Sequence, residues 1–487
     1  MDRASGVLLP LFSLYSRHGI GTLGLPAYDF AAFLQKSGQK YWQMLPIGPT
    51  DWGNSPYQSF SSFAGNPYFI DPDTLAYEGY LTQREVDETD FGSDPVRIDY
   101  EKLSRNRLPL LRRAYARLSD ERRKEVADYT EKQRNWLPDY ALYMALRREA
   151  GDHPWNEWDE PLRRRDPAAL EAAQTRLSDE IGFHCFLQML FQAQWDRLRV
   201  YLDELNLKVI GDLPIYVPYD SADVWANQGL FLLDRDLRPE AVSGVPPDYF
   251  SAEGQLWGSP LYDWDKMKRD NFAWWKQRMA AQTKWFDAVR IDHFRALASF
   301  WRVPANETTA KNGEWVKGPG IEFIRAMREA LPKTQFIAED LGLLTDDVRE
   351  LLAESELPGM EVLEFAFTRG ANSAYLPHNH KKNAVVYVGT HDNMTAAQFL
   401  NEMPEEADYC GEYLGEKSVA ALLRAGMMSV SDLFVSSMPD WLGLGAQARI
   451  NTPSTVGANW QWRMRLGDLN DELAARIRRM TETYSRI

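Results

Sequence analysis

The chain of 487 residues, with 44 % apolar and 26 % charged side chains, reads as an ordinary soluble globular protein able to bury a large core, either as one inserted barrel or as two to three domains. Its 70 acidic against 55 basic residues leave a net charge of −15, which argues against nucleic-acid or anionic-membrane partners and suits a neutral substrate. No apolar stretch approaches the roughly 20 residues of a membrane span, and Cys185 and Cys410 fit neither a disulfide framework nor a thiolate metal site, which points to a reducing cytoplasm.

In chain order, the apolar opening at residues 7–14 is broken by Pro10 and followed by Arg17 and His18, with no small-residue cleavage site, so it is not a signal peptide. Eight short strand-like runs follow one another at residues 6–14, 40–47, 207–217, 286–293, 334–341, 360–365, 384–391 and 432–438. Helical patterns at 271–284 and 321–330, and a helix opened by Thr345, lie between them, giving the βαβα alternation of a closed parallel (β/α)8 TIM barrel over residues 1–487. The long interval at about 50–200 carries charged helical patterns and reads as a mainly helical inserted subdomain. A second insertion, at 219–270, contains a Gly/Pro-flanked segment at 242–254 suited to a mobile lid or an ordered surface loop. After Gly445 about forty residues remain, closing in a charged helix at 468–484, too few for the roughly 100 residues of an appended β-sandwich.

Three of the runs end in carboxylates: Asp292, Glu339 and Asp392. Strands of a parallel barrel deliver such residues to its carboxyl edge, where three acids together can do nucleophilic, acid/base and charge-stabilising work on a glycosidic bond. Alternation along a strand points Arg290 the same way as Asp292, and a guanidinium there favours the ionised acid; an isolated R-x-D is more often a structural ion pair, but the two companion acids shift the balance. The apolar residues before Glu339 favour a raised pKa and a general-acid role, whereas Asp340 faces the barrel exterior and is structural. Asp212 is a fourth strand-end acid. Tyr57, in the polar-aromatic loop 53–68, and Trp257 offer apolar faces for sugar rings, and His293 and His391 offer hydrogen bonds to hydroxyls; singly, each is more often a packing or turn residue. Histidines at metal-ligand spacing are not found, and His378 and His380 give only a weak metal signal.

The segments Ser55 to Tyr68 (S-P-Y-Q-S-F-S-x-F-A-G-N-P-Y), G-D-L-P-I-Y-V from Gly211, G-V-P-P-D-Y-F-S from Gly244, R-I-D-H-F from Arg290, A-E-D-L-G from Ala338 and G-T-H-D-N from Gly389 together resemble the amylomaltase family of 4-α-glucanotransferases, or disproportionating enzymes, within the α-amylase superfamily. The resemblance covers essentially the whole chain. It implies an inserted barrel without a C-terminal β-sandwich, Asp292 as nucleophile, Glu339 as acid/base and Asp392 as transition-state stabiliser. It further implies donor subsites lined by Ser55, Tyr57, Asp212, Asp248, Trp257, Arg290, His293 and His391, with the Gly244 segment covering bound glucan. The expected substrates are α-1,4-glucans and malto-oligosaccharides, with glucose as acceptor, cyclic glucans as further products, and no cofactor or metal. The chain departs from the family at Thr368-Arg369-Gly370, where an acidic residue is common, and at Trp52, in a variable turn near a secondary glucan site. Three other readings compete: an α-glucan hydrolase with the same acids, a silent glucan-binding protein and a metal-dependent barrel enzyme.

Overall fold

Eight parallel strands form the centre of the computed structural model, which describes every residue except 1, 52, 248–250 and 343. They are β1 (Ala4–Leu8), β2 (Tyr41–Gln43), β3 (Lys208–Pro214), β4 (Ala288–Asp292), β5 (Gln335–Ala338), β6 (Gly359–Val362), β7 (Ala384–Tyr387) and β8 (Leu433–Ser437). All but the first and last residues of β3 and the outermost positions of β4 and β5 are buried, as expected for strands covered on both faces. The hydrogen-bonded order is β6-β7-β8-β1-β2-β3-β4-β5. The two ends of that order meet where the Ala338 N–H donates to Pro358 O at 2.9 Å and the Met360 N–H donates to the Asp340 carboxylate at 2.7 Å. The sheet thereby closes into the expected (β/α)8 barrel, and Asp340, facing away from Glu339, helps to close it. A Cβ on Gly359 would lie 2.7 Å from that carboxylate, so the seam requires glycine there.

The strands are shorter than the apolar runs. Pro10 lacks an N–H, so the chain leaves the sheet after Leu8 and turns as a 3-10 helix at Leu11–Ser13. Likewise β6 stops at Val362 and Leu363–Phe365 turns. The helical readings correspond to Ala273–Gln282, Ile321–Ala330 and Asp346–Ser355. Thr345 occupies the N-cap position of the last of these, but its hydroxyl accepts from Arg295 at 3.3 Å and makes no cap bond.

Between β2 and β3 the chain runs through a series of helices ending in Ser178–Glu204, whose 27 residues lead back to the barrel. After β3 comes an element the sequence reading does not contain: a four-stranded antiparallel sheet of Gln255–Pro260, Ala241–Val245, Ser299–Pro304 and Glu314–Lys317, in that order. It joins the segment after β3 to the segment after β4. No helix among the described residues is long and apolar enough to cross a membrane.

The last turn of chain fastens the first. The buried Arg486 guanidinium donates to Ala4 O at 2.9 Å, Met427 O at 2.9 Å, Ser429 O at 2.9 Å, Ser431 O at 3.0 Å and Asp432 O at 3.1 Å, tying the N-terminal ends of β1 and β8 to the helix Val419–Met428. Arg3 donates to Ser429 O and Met427 O beside it, and burial together with Arg3 lowers the Arg486 pKa to about 9. Arg486→Ala strips several buried carbonyls of their donor and is expected to cost about 3 kcal/mol of stability, read as an earlier urea midpoint. A midpoint equal to the parent's would show that water replaces the guanidinium without loss.

Candidate active site

Arg290 and Asp212 are register partners on β4 and β3, so both side chains enter the barrel interior at one level. Arg290 Nη1 lies 2.7 Å from each Asp212 oxygen and 2.9 Å from Asp292 Oδ1, one nitrogen serving two carboxylates. The Tyr57 hydroxyl donates to Asp212 Oδ2 at 2.8 Å and lies 2.8 Å from His391 Nε2. Tyr57 has one proton and the carboxylate can only accept, so His391 carries its own proton on Nε2 and donates to the Tyr57 oxygen. The two rings stack at 5.3 Å and 16°. Ser55 fixes this loop by accepting the Tyr57 N–H at 3.3 Å. The contacts thus form a continuous chain from the barrel floor to His391 and, 3.3 Å onward, Asp392 Oδ1.

Asp292 ends β4 and Glu339 directly follows β5, one step beyond the register pair Ile291 and Ala338. Neighbouring strands lie about 4.8 Å apart, so the two carboxyls stand side by side. The backbone locks the second one: His293 N–H donates to Glu339 Oε2 at 2.7 Å and Leu341 N–H to Oε1 at 2.9 Å. His293 reaches this position through the left-handed region, at φ 54° and ψ 50°. Burial raises both carboxyls above their ordinary range. The Arg290 cation opposes the shift at both, the two amides oppose it further at Glu339, and the negative charge of Glu339 adds to it at Asp292. The pair therefore keeps a proton at pH values where exposed carboxyls have lost theirs.

Asp392 sits on the turn after β7, its side chain 44 % exposed against 28 % for Asp292, so it faces the open mouth. Its carboxylate accepts from Asn451 Nδ2 at 2.6 Å and its carbonyl from Arg449 at 2.9 Å. Trp460 lies against Tyr57 and His391, with ring centroids at 5.9 and 6.1 Å. Sequence reasoning missed all three, because it used the segment after Gly445 only to exclude a further domain. The signal available there was an Arg449-Ile-Asn451-Thr run followed by Trp460, polar groups and an aromatic in a loop with no helical or strand period. Trp257 packs edge-on against His293, with centroids 4.6 Å apart at 86°, and burial lowers the His293 pKa to about 3, leaving it neutral.

The structure thus brings Ser55, Tyr57, Asp212, Trp257, Arg290, Asp292, His293, Glu339, His391 and Asp392 into one connected set. Asp248 and Trp52 lie outside the described residues. Arg369, at the family departure, pairs with exposed Glu412 at 2.7 and 3.0 Å and lies over the Tyr409 ring. His378 bonds Tyr413, and His380 bonds Ser429 and Tyr375 O.

A family model described as 4-alpha-glucanotransferase matches residues 9–469. The chain belongs to the 4-alpha-glucanotransferase family. Curated 4-alpha-glucanotransferases share 43 % identity with it in Thermus thermophilus, over all of both chains, and 41 % in Clostridium butyricum, over 97 % of this chain and 99 % of that one. The solved amylomaltase from Streptococcus agalactiae, in complex with acarbose, superposes with a TM-score of 0.97 at 38 % identity over 100 % of both chains.

Arg290→Met leaves buried Asp212 and half-buried Asp292 without their cation, at an expected cost of about 3 kcal/mol at neutral pH. Burial already makes Asp292 bind its proton more tightly folded than unfolded, and loss of the cation strengthens this, so the variant's stability falls as pH rises through the folded Asp292 titration and recovers on acidification. Urea midpoints across pH measure this; a deficit independent of pH would contradict it.

Proposed function

We propose that the protein is a retaining 4-α-glucanotransferase that moves segments of α-1,4-glucans and malto-oligosaccharides to other oligosaccharides or to glucose, and that it closes glucans into rings when the acceptor is the donor's own end. The observation that carries the reading is the placement of Glu339 beside Asp292, with the amide next to Asp292 held by the Glu339 carboxylate. Retaining transfer needs a nucleophile and an acid about 5–5.5 Å apart, the spacing neighbouring strands supply. The family membership and the relative solved with acarbose support it.

Asp292, in contact with the Arg290 cation, is the carboxylate of the pair that holds its charge, and the shared proton rests on Glu339. An oxygen that accepts one amide still has a lone pair for a proton, so the backbone bonds orient the acid without disarming it. Asp292 Oδ attacks the anomeric carbon as the glycosidic C–O bond breaks, and the Glu339 proton passes to the departing oxygen. A covalent β-glucosyl ester and ionised Glu339 result. Glu339 then takes the proton of an incoming 4-hydroxyl, whose oxygen displaces Asp292 and restores an α-1,4 bond. Asp392, open at the mouth and fixed by Asn451 and His391, places negative charge where the oxocarbenium-like transition state is positive. Tyr57, Trp257, His293 and His391, with Asp212, Arg290, Ser55 and Asp248, form the donor subsites in this reading. A reducing cytoplasm suits the two free, buried cysteines.

Two measurements test the proposal. Maltotriose should yield glucose together with oligosaccharides longer than itself; only shorter products would make the protein a hydrolase. Glu339→Gln should lower turnover by about 10²–10⁴-fold while malto-oligosaccharide binding persists, and unchanged turnover would reject the assignment. The pH profile follows from the site: kcat/KM falls on the acid side as Asp292 is protonated and on the alkaline side as Glu339 ionises. Burial raises the pair, so the alkaline limb lies above the ordinary carboxylate range.

A further inference from the structure

A carboxyl with no part in the chemistry lies directly beneath the turn that carries His391 and Asp392. Glu364 follows β6, and its own N–H donates to Val388 O at 3.1 Å, which draws the side chain under the end of β7. Its Oε1 is buried without a hydrogen-bond partner among the described residues. A Cβ on Gly389 would lie 2.5 Å from that oxygen, so the carboxyl packs on bare backbone where only glycine leaves room. The Met394 amide, at the far end of the same turn, faces the carboxyl. Two residues further, the Ala396 N–H donates to buried Asp440 at 2.7 Å. Within the turn, Asn393 Oδ1 accepts the Thr390 amide at 2.9 Å and its hydroxyl at 2.7 Å. From above, Arg449 and Asn451 hold the Asp392 carbonyl and carboxylate.

We propose that Glu364 is a positioning residue for Asp392: with Asp440 it forms a two-carboxyl cradle under residues 389–396 that fixes where the Asp392 carboxylate stands at the mouth. The inference rests on the reading of Asp392 as transition-state stabiliser. Glu364 does this as a neutral acid. An anion there would bury an unpaired oxygen against Gly389 and face Asp440, while the nearby cation Arg449 gives its Nε and Nη2 protons to Asn451 O and Asp392 O. Burial and Asp440 hold the Glu364 carboxyl well above the usual carboxylate range, and Arg449 opposes them only in part. Because the folded protein keeps a proton that an exposed glutamate releases, order in the turn is complete at low pH and declines as pH rises through the titration of Glu364.

The test compares Glu364→Ala, Glu364→Gln and Asp392→Asn on maltotriose across pH. E364A should lower kcat by about ten- to a hundredfold through misplacement of Asp392, with KM within about threefold because the lost interaction belongs to the transition state. E364Q has the shape of the neutral acid and cannot ionise, so it should restore most of kcat and leave the alkaline limb of kcat to Glu339 alone, a single-group fall less steep than the parent's. A kcat for E364A equal to the parent's, or an E364Q profile superimposing on the parent's, overturns the proposal. If E364A does not fold, the E364Q profile alone decides it. Should D392N keep full turnover, the reading of Asp392 falls and this inference with it; a dead D392N beside a fully active E364A removes the positioning role alone.

Discussion

One guanidinium nitrogen sets the arrangement of the site. Arg290 Nη1 touches Asp212 and Asp292 together, where two carboxylates on adjacent strands would otherwise repel each other inside the barrel. Removing that cation leaves buried Asp212 and half-buried Asp292 without a counter-charge, a loss larger than the pair's net contribution when intact. The consequences run outward, because Asp212 is also the acceptor that orients Tyr57, and Tyr57 is what His391 stacks on and donates to. Each side chain in the series has its proton direction fixed by the one before it. Asp392 stands beside the end of that series, 3.3 Å from His391 Nε2, and Asn451 supplies the hydrogen bond that holds its carboxylate.

Glu339 and Asp340 show how closely the chemistry is tied to barrel closure. Successive residues beyond a strand face opposite ways. Glu339 turns inward, to the amide of His293, and Asp340 turns outward, to the amide of Met360 across the seam between β5 and β6. That seam is where the strand order would otherwise end, and it shares its residues with the proposed acid/base. A change that opens the seam therefore moves the Glu339 carboxyl as well, which couples the barrel's weakest pairing to the most exacting distance in the site. The fold supplies rigidity at the point of greatest need, since a site on strand ends is held more closely than one on loops.

The acids at strand ends were legible because a short apolar run closing in a carboxylate is a local pattern, and so was the alternation that made the barrel. The segments quoted for the family resemblance are likewise contiguous. Three kinds of feature escaped. The antiparallel sheet lies in strands such as Ala241–Val245 and Gln255–Pro260, which contain glycines and are flanked by Gly/Pro turns, so their pattern resembles a loop. Contacts made across more than fifty residues, such as Asn451 to Asp392, have no local signature at all. Competition between partners also escaped: Thr345 has the side chain and position of a cap, yet its hydroxyl serves Arg295. Glu364 belongs to the same class, since nothing in its neighbourhood in the chain reveals that Gly389 and Asp440 surround it.

The charge of the site matches the reaction proposed for it. In the proposed reading the shared proton is on Glu339, the carboxylates of Asp212 and Asp292 touch the Arg290 cation, Asp392 stands at the mouth, and Arg449 spends its contacts on backbone carbonyls instead of the acids. An excess of negative charge is of little use to a neutral glucan in its ground state, but it attracts the positive charge that appears only as the glycosidic bond breaks. The cation thus has to be strong enough to keep Asp212 and Asp292 together and too weak to cancel them. A second cation in contact with Asp392 would stabilise the resting protein and remove the field the transition state needs. Placing Arg449 on the Asp392 carbonyl, and an amide from Asn451 on its carboxylate, holds the side chain in place without neutralising it.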